Sequence, residues 1–426
     1  MDSYHVVVVG GGFGGLQAVQ QLKSAPIRIT LIDARNFHLF QPLLYQVATG
    51  GLSPANIATP LRSIFKRQAN VQVLLGRVTD IDVEGRRVLM AEEAIGYDAL
   101  IVATGSSHSY FGHEAWGSYA PGLKTVEDAL AIRRRILLAF EAAEHQTDPE
   151  RIKALLTFVI VGGGPTGVEL AGALSEISNH TLQHEFRNIN PADARIILVD
   201  HGDRVLKAYA EDLSASATKT LERLEVTVRT GAGVTQIGPD SVTIEENGKE
   251  EVVPTHSVFW AAGVKASPLG KLLSERTGAE LDHAGRVQVQ PDLSLQGHPE
   301  IYVIGDLAHC PDASGNPLPG VAQVAIQQGK HAAQVILQRR EGKPIKPFRY
   351  HDLGSMATIG RSAAVVQMGR LKFSGFFAWV AWLFVHLMSL VRYESRALVL
   401  LQWSWSYFTW NRAASLITGE ARSEDL

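Results

Sequence analysis

Short runs of consecutive apolar residues alternate along this chain with segments whose apolar residues recur at helical spacing. The first run, residues 4–10 (YHVVVVG), is followed by residues 14–24, where apolar side chains return every three or four positions. Uninterrupted apolar runs of this length are typical of strands buried on both faces of a parallel sheet. Because residues 28–34 (RITLIDA) form a second such run, the chain opens with a predicted βαβ unit.

The same pattern starts again near the middle of the chain. Residues 157–174 (TFVIVGGGPTGVELAGAL) and 194–200 (ARIILVD) repeat the strand, helix and strand. Residues 98–106 form an apolar strand before the repeat, residues 256–264 close the second unit, and residues 301–308 are predicted to return to the first. This order predicts an α/β fold with two Rossmann-type dinucleotide-binding domains, the second inserted in the first.

Three parts of the chain are expected from this order. Residues 1–115 and 270–343 would form the first, discontinuous dinucleotide-binding domain, and residues 116–269 the second. From about residue 344 tryptophan, phenylalanine, leucine and valine cluster and acidic residues become scarce. We therefore expect residues 344–426 to be a separate C-terminal segment.

Composition narrows the classes of function. A formal net charge of -3 over 426 residues is close to neutral and disfavours nucleic-acid binding. The single cysteine, Cys310, rules out an intramolecular disulfide, a CxxC redox pair and a cysteine-cluster metal site. His, Cys and Asp residues also lack ligand spacing, so we expect no metal. Because the first strand-like run begins at residue 4, we expect no signal peptide and expect the bulk of the protein to stay in the cytoplasm.

Glycines follow the first strand in the order G-x-G-x-x-G, at Gly10, Gly12 and Gly15. Such glycines let the backbone turn tightly beside a pyrophosphate, which lies at the N-terminus of the following helix. Asp33 ends the next strand, where a carboxylate binds ribose hydroxyls. The candidate contacts in this segment are Gly10, Gly12, Phe13, Gly14, Gly15 and Asp33.

A second G-x-G-x-x-G follows the repeated strand. Its candidate contacts are Gly162, Gly164, Thr166 and Gly167, with Asp200 as the ribose ligand. Asp200 comes later than the usual spacing of about 20 residues, so a strand-end turn residue in solvent is the alternative. A carboxylate here would repel a 2'-phosphate and favour NADH over NADPH, although Arg204 nearby could soften that preference.

Two dinucleotide sites in one chain indicate two different dinucleotides. Hydride transfer between a nicotinamide and a flavin is the chemistry that needs both. The repeated motif therefore predicts a flavin-dependent NAD(P)H oxidoreductase.

Further motifs carry a resemblance to known proteins. The two glycine motifs, VATG (102–105), WAAGV (260–264) and YVIGDLA (302–308) resemble the two-dinucleotide-binding-domain flavoproteins. FQPLLYQVATG (40–50), AQVAIQQG (322–329) and the aromatic tail are similar to those of the type II NADH:quinone oxidoreductases. The resemblance implies FAD in the first domain, NADH in the second and a non-proton-pumping transfer of electrons to membrane quinone in a respiratory chain.

The same resemblance implies roles for individual residues. Asp306 would bind the flavin ribityl chain, and Val78 would face the adenine. The other cofactor contacts expected from it are Ala103, Thr104, Gly105, Gly50, Ala262, Gly263, Gly305 and Ala322.

Four side chains are expected to be catalytic. Gln323 and Gln327 lie one turn apart on a helix whose N-terminus, in this family, points at the flavin pyrimidine ring. Glu169 resembles the acid on the nicotinamide side of the flavin and could relay a proton; a plain helix-surface glutamate is the alternative. Lys372 resembles a lysine near the quinone tunnel, but contact with a lipid headgroup would explain it equally well.

The C-terminal segment predicts attachment to one face of a membrane. Residues 376–391 are apolar almost all round, yet as a helix they span only about 24 Å, short of the roughly 30 Å hydrocarbon core. Residues 397–410 favour a second helix rich in tryptophan, and basic residues flank both, as at an anionic membrane surface. We expect monotopic attachment at the cytoplasmic face of the inner (plasma) membrane; a buried homodimer interface is the alternative.

Two rival functions remain open from sequence. One is a soluble NADH oxidase that passes electrons to oxygen and uses the tail as an oligomer contact. The other is a flavin-bound sensor that recruits a partner. Disulfide reductases and sulfide:quinone oxidoreductases are excluded because their mechanisms need paired cysteines.

Overall fold

The computed structural model describes residues 4–312, 314–410 and 416–417. Its helices are α1 (Phe13–Gln21), α2 (Leu44–Ala48), α3 (Pro54–Ile57), α4 (Leu61–Phe65), α5 (Val126–His145), α6 (Pro149–Leu155), α7 (Pro165–Glu176), α8 (Glu211–Arg223), α9 (Leu269–Thr277), α10 (Ala322–Arg340), α11 (Phe376–Ser389) and α12 (Tyr393–Thr409). Its strands are β1 (His5–Val9), β2 (Arg28–Asp33), β3 (Phe37–Leu39), β4 (Ala58–Pro60), β5 (Val71–Leu75), β6 (Asp80–Asp82), β7 (Arg87–Leu89), β8 (Ala94–Gly96), β9 (Ala99–Val102), β10 (Ser106–His108), β11 (Thr157–Val161), β12 (Arg195–Asp200), β13 (Val226–Thr230), β14 (Ala232–Ile237), β15 (Ser241–Glu246), β16 (Lys249–Pro254), β17 (Ser257–Trp260), β18 (Val264–Ala266), β19 (Val287–Gln288), β20 (Ser294–Leu295), β21 (His298–Val303), β22 (Ala308–His309), β23 (Ser355–Gly360), β24 (Ala363–Met368) and β25 (Leu371–Gly375).

The described chain divides into two compact units. The first contains residues up to 39, residues 58–107 and residues 264–352. The second contains residues 40–57, residues 108–263 and the described residues from 353 onward.

The first unit is built on a sheet in the order β20-β21-β9-β1-β2-β5. All neighbours are parallel except β20 and β21. Strand β1 is buried along its whole length, as its uninterrupted apolar run predicts. Helices α1 and α10 pack so closely that a Cβ atom on Gly329 would overlap the carbonyl oxygen of Gly14. The predicted βαβ unit and returning strand are confirmed.

The second unit repeats this plan with a smaller parallel sheet, in the order β13-β12-β11-β17. An antiparallel sheet of β14, β15 and β16 adjoins the same hydrophobic core, which Val161, Val199 and Trp260 share with Ile244 and Val253. A capping box at Thr125 starts the long helix α5. The predicted second dinucleotide-binding plan is therefore present.

The C-terminal residues pack against this second unit. Strands β23, β24 and β25 form an antiparallel sheet, and β23 lies on helix α7. At their crossing a Cβ atom on Gly172 would overlap the carbonyl oxygen of Ile359, so the helix and strand touch backbone to backbone. Helix α11 then covers β24 and buries Trp382 almost completely.

This grouping differs from the separate segment expected for residues 344–426. Near residue 344 only the amino-acid composition changes. The residues from 353 onward group with the second unit because β23 packs on α7. Residues 40–57 also belong to the second unit, because α2 packs on α5 and α7. The two predicted C-terminal helices are confirmed as α11 and α12.

Within residues 4–312, 314–410 and 416–417, none of the helices combines the length and the apolar character that crossing a membrane would require.

The contact at Gly172 gives a stability prediction. Gly172→Ala should destabilise the protein by about 3 kcal/mol, because the added methyl forces the backbones of α7 and β23 apart. Thermal unfolding of the purified protein measures the loss.

Gly164→Ala is the matched control, because a Cβ atom at Gly164 meets open space. It should leave the melting temperature nearly unchanged, even if it weakens nucleotide binding. Equal melting temperatures for Gly172→Ala and the wild type would contradict the close packing.

Candidate active site

The first glycine loop brings its predicted residues together at the carboxyl end of β1. Gly10 has a positive φ of 105°, and a Cβ atom there would overlap the carbonyl oxygen of Ala103. The Asp33 carboxylate accepts a hydrogen bond from the backbone N–H of Gly11 at 2.5 Å. Gly12, in contrast, faces open space. The loop is thus held by close contacts at Gly10 and Gly11 and is open at Gly12, as a pyrophosphate site requires.

Residues around this loop fit a bound dinucleotide. The Thr104 hydroxyl is buried with no hydrogen-bond partner among the described residues. Gly105 has a positive φ and open space where a Cβ atom would be. Asp306 accepts a hydrogen bond from the Ser106 hydroxyl at 2.7 Å, and the Gly305 N–H donates to Gln328. Buried polar groups are normally paired, so the unpaired hydroxyl indicates a ligand.

The second glycine loop repeats the first in detail. Gly162 has a positive φ of 112°, and a Cβ atom there would lie 2.7 Å from the backbone nitrogen of Ala262. Asp200 accepts hydrogen bonds from the N–H groups of Gly163 at 2.5 Å and Gly202 at 2.7 Å. The late position of Asp200 reflects the turns between α7 and β12, not a different place in the fold.

The remaining cofactor candidates differ in their surroundings. Val78 is buried in the core of the first unit, and Ala322 begins α10. Gly263 has a positive φ of 74° and is overlain by the ring of Phe111, an exposed aromatic that the sequence reasoning missed. Gly50 has a positive φ of 70° just after α2.

Gln323 and Gln327 differ in their surroundings. Gln323 is half-buried in the first turn of α10. The amide of Gln327 donates to the carbonyl of His351 at 2.9 Å and accepts from its N–H at 3.0 Å. Gln327 therefore holds the backbone at residue 351.

Glu169 lines a cavity of about 110 Å³ within the second unit. Glu169 and Glu176 lie two turns apart on α7, so both carboxylates are on the same face of the helix. Their backbone partners come from the C-terminal sheet: Thr358 donates to Glu169, and Arg361 donates to Glu176 at 2.5 Å. The cavity is lined by Tyr45, Gln46, Gly51, Glu169, Ala173, Glu176, Thr358, Gly360, Arg361, Trp379, Trp382, Leu383, Trp403, Ser406, Tyr407 and Trp410.

Burial controls the charge of Glu169. Removal from bulk water raises the pKa of Glu169 well above its ordinary value of 4.5, and the hydrogen bond from Thr358 only partly opposes this. Burial, and to a smaller extent the charge of Glu169, also raise the pKa of Tyr209. A carboxyl group with a raised pKa in a cavity is suited to proton transfer near neutral pH.

Three other residues of the lining are joined by hydrogen bonds. The Trp403 indole N–H donates to the Gln46 side chain at 2.7 Å, and the Gln46 amide donates to the Tyr45 hydroxyl at 2.9 Å. The sequence reasoning missed these side chains, although Tyr45 and Gln46 lie in the motif FQPLLYQVATG.

The end of α12 contributes Ser406, Tyr407 and Trp410 to the lining of the cavity. The Arg361 guanidinium lies 4.1 Å from the ring centroids of both Tyr407 and Trp410 and also donates to the carbonyl of Tyr407. His180 packs on the Trp410 ring with a centroid separation of 3.9 Å. These contacts hold the tail against the second unit.

Lys372 is outside the set of described residues that line this cavity. It lies on β25, where its ammonium group pairs with the Asp212 carboxylate at 2.9 Å.

Comparison with known proteins decides the family. Residues 4–329 match the pyridine nucleotide-disulphide oxidoreductase family. The chain is 47% identical over 98% of its length to the type II NADH:quinone oxidoreductase NdhA of Mycobacterium tuberculosis, covering 90% of that protein. It is 45% identical over 98% of its length to Ndh of the same organism, covering 91% of that protein. The chain belongs to the type II NADH:quinone oxidoreductases.

The fold of this type II NADH:quinone oxidoreductase agrees with that assignment. A solved structure of NDH2 from Plasmodium falciparum superposes with a TM-score of 0.89 at 20% identity, covering 97% of this chain and all of the other. The family and the α/β architecture predicted from sequence are confirmed. The roles of individual site residues stay predictions.

The raised pKa of Glu169 predicts how stability depends on pH. Folding holds the carboxyl protonated above pH 4.5, where the unfolded chain loses the proton, so stability is highest below that pH and falls as pH rises toward the folded pKa. The slope is about 1.4 kcal/mol per pH unit. Glu169→Gln should therefore be more stable than the wild type near neutral pH.

Melting temperatures measured between pH 4 and 8 test this expectation. The gain in Glu169→Gln should vanish at the acid end of the series. Glu222→Gln, which changes an exposed carboxylate on α8, is the control and should follow the wild type throughout. A constant difference at every pH would mean that Glu169 keeps an ordinary pKa.

Proposed function

We propose that this chain is an FAD-dependent NADH dehydrogenase that reduces membrane quinone without pumping protons. The observation that carries the proposal is the pair of matching glycine loops in a chain of the type II NADH:quinone oxidoreductases. Bound FAD would supply the redox chemistry, which is hydride acceptance from NADH and two-electron reduction of the quinone. The side chains bind the two dinucleotides and deliver protons.

FAD would be held by the first unit. The N–H groups at the start of α1 face the pyrophosphate, and the Asp33 carboxylate takes the ribose hydroxyls. Thr104 supplies the unpaired buried hydroxyl, and Asp306 the carboxylate for the ribityl chain. The first turn of α10, with Gln323, would stabilise negative charge on the reduced flavin through its N–H groups. Gln327 would act indirectly by fixing the backbone at residue 351.

NADH would be held by the second unit, in the matching loop. Asp200 has the same relation to its loop as Asp33, which supports a ribose contact. A carboxylate at this position repels a 2'-phosphate, so we propose that NADH is preferred over NADPH.

The cavity beside Glu169 would bind the quinone headgroup. Six of the sixteen described residues that line it are aromatic, which suits a flat apolar ring, and Glu169 in the same lining offers a proton. Reduction of a quinone to a quinol consumes two protons, and a carboxyl group whose pKa is raised by burial keeps its proton to higher pH and can supply one. For Lys372, the ion pair with Asp212 favours a surface role over a place in the quinone tunnel.

The outer faces of α11 and α12 would lie in one leaflet of a membrane. Large apolar side chains cover them, with exposed fractions of 78% for Phe377, 64% for Phe384, 63% for Trp405 and 80% for Phe408. A contiguous exposed apolar surface with flanking arginines is typical of a monotopic anchor. We place this surface at the cytoplasmic face of the inner (plasma) membrane.

Two charges on this surface should release the protein from membranes. The double variant Phe377→Glu, Phe384→Glu places carboxylates on one face of α11, two turns apart, and should lower the membrane-bound fraction at least tenfold. Sedimentation with vesicles of the anionic lipid phosphatidylglycerol measures it.

Val252→Glu is the matched control, because Val252 on β16 is 64% exposed. It should bind vesicles like the wild type. If the double variant stays bound but its molar mass in detergent falls from a dimer to a monomer, the surface is a homodimer interface instead.

Rapid kinetics test the reaction itself. Mixing with NADH should bleach the flavin absorbance, and a following mix with ubiquinone should restore it faster than dissolved oxygen does. A soluble NADH oxidase would show the reverse order for the two acceptors. Flavin that NADH does not bleach would point to a sensor.

A further inference from the structure

One polar group in the cavity wall is left unpaired. Trp382 is only 1% exposed, and its indole N–H has no hydrogen-bond partner among the described residues. A buried donor without an acceptor is unfavourable, so native structures seldom keep one unless a ligand or water completes it. Trp382 lies on α11 and lines the same cavity as Glu169.

A neighbouring tryptophan shows the contrast. The Trp403 ring is 5.8 Å from that of Trp382, centroid to centroid, and also lines the cavity. Its N–H is satisfied by Gln46 at 2.7 Å. The two tryptophans therefore differ: the Trp403 N–H has an acceptor, whereas the buried Trp382 N–H has none among the described residues.

The Trp382 ring is held in one orientation. The His386 ring stacks on it with a centroid separation of 4.2 Å, and His386 Nδ1 bonds the backbone carbonyl of Trp382 at 2.8 Å. Tyr45 packs nearby at 6.5 Å. Because burial lowers the pKa of His386 to about 4, this neighbour is neutral at physiological pH and adds no charge to the site.

We infer that the Trp382 indole N–H donates a hydrogen bond to a carbonyl oxygen of the quinone and thereby helps select the acceptor. The inference rests on the proposed binding of quinone in this cavity. A quinone offers two carbonyl acceptors on a flat apolar ring, so one bond to Trp382 fixes the rotation of the ring within the aromatic walls. Acceptors without such a carbonyl gain nothing from Trp382.

Kinetics give the first test. Trp382→Phe keeps an aromatic ring and removes the N–H, so KM for a short-chain ubiquinone should rise about tenfold. The rate with ferricyanide, which needs no quinone site, should stay within twofold. Trp116→Phe is the matched control, because Trp116 stacks on His113 and is outside the described residues that line the cavity; its KM should change less than twofold.

A direct reading of the indole comes from NMR. The chain contains seven tryptophans, so protein with ¹⁵N-labelled indoles shows at most seven indole N–H signals, and the one absent from Trp382→Phe belongs to Trp382. On addition of the short-chain ubiquinone this signal should move downfield, while the Trp403 signal, already hydrogen-bonded, should move much less. Trp382→Tyr provides the assignment if the phenylalanine variant fails to fold.

The outcomes separate the two proposals. An unmoved Trp382 signal in wild-type enzyme that still turns over ubiquinone would overturn the role of Trp382 and leave the proposed function standing. An unchanged quinone KM in Trp382→Phe would do the same. Failure of the wild type to reduce ubiquinone at all would refute the proposed function itself.

Discussion

The second unit depends on the direct contact of helix α7 with strand β23. Gly172 allows the helix to meet the carbonyl of Ile359, which any side chain would prevent. The same helix begins at the second glycine loop and carries Glu169 and Glu176 on one face. One helix thus links a nucleotide loop at its N-terminus to the cavity along its side. The Glu169 and Glu176 carboxyl groups accept hydrogen bonds from the backbone N–H groups of Thr358 and Arg361. Hydrogen bonds and close packing therefore both hold α7 against the C-terminal sheet.

The two glycine loops show why a repeated motif is chemically informative. In each loop, the carboxylate at the end of the neighbouring strand accepts a hydrogen bond from the N–H of the middle glycine. Asp33 and Asp200 therefore lie beside their loops and also fix the loop conformation. Two such loops in one chain supply two places for a pyrophosphate, which a single-substrate enzyme does not require. The flavin and the nicotinamide then divide the chemistry, and the protein contributes binding, charge and protons.

Much of this was predictable from sequence because it is local. The glycine loops, the buried strands and the C-terminal helices are encoded within windows of about thirty residues, and they are present in the structure. The cavity wall is not local: the bond between Gln46 and Trp403 joins residues 357 positions apart. The pairing of Gln327 with His351 and of Lys372 with Asp212 likewise depends on how distant elements pack. Helical spacing predicts that Gln323 and Gln327 lie one turn apart on α10. Only the packing of distant elements determines that the Gln327 side chain is hydrogen-bonded to the backbone of His351.

The C-terminal segment contributes side chains both to the interior of the second unit and to its surface. Helix α11 buries Trp382 and exposes Phe377 and Phe384, so its inner side completes the cavity while its outer side remains apolar. If the outer side lies in a membrane as proposed, a lipid-soluble substrate gains a physical advantage, because its headgroup would reach the cavity without first crossing water. Arg361 holds the end of α12 against the same unit through Tyr407 and Trp410. The element proposed to anchor the protein therefore also forms part of the proposed substrate site, and changes to its two faces should have separable effects on membrane binding and on quinone turnover.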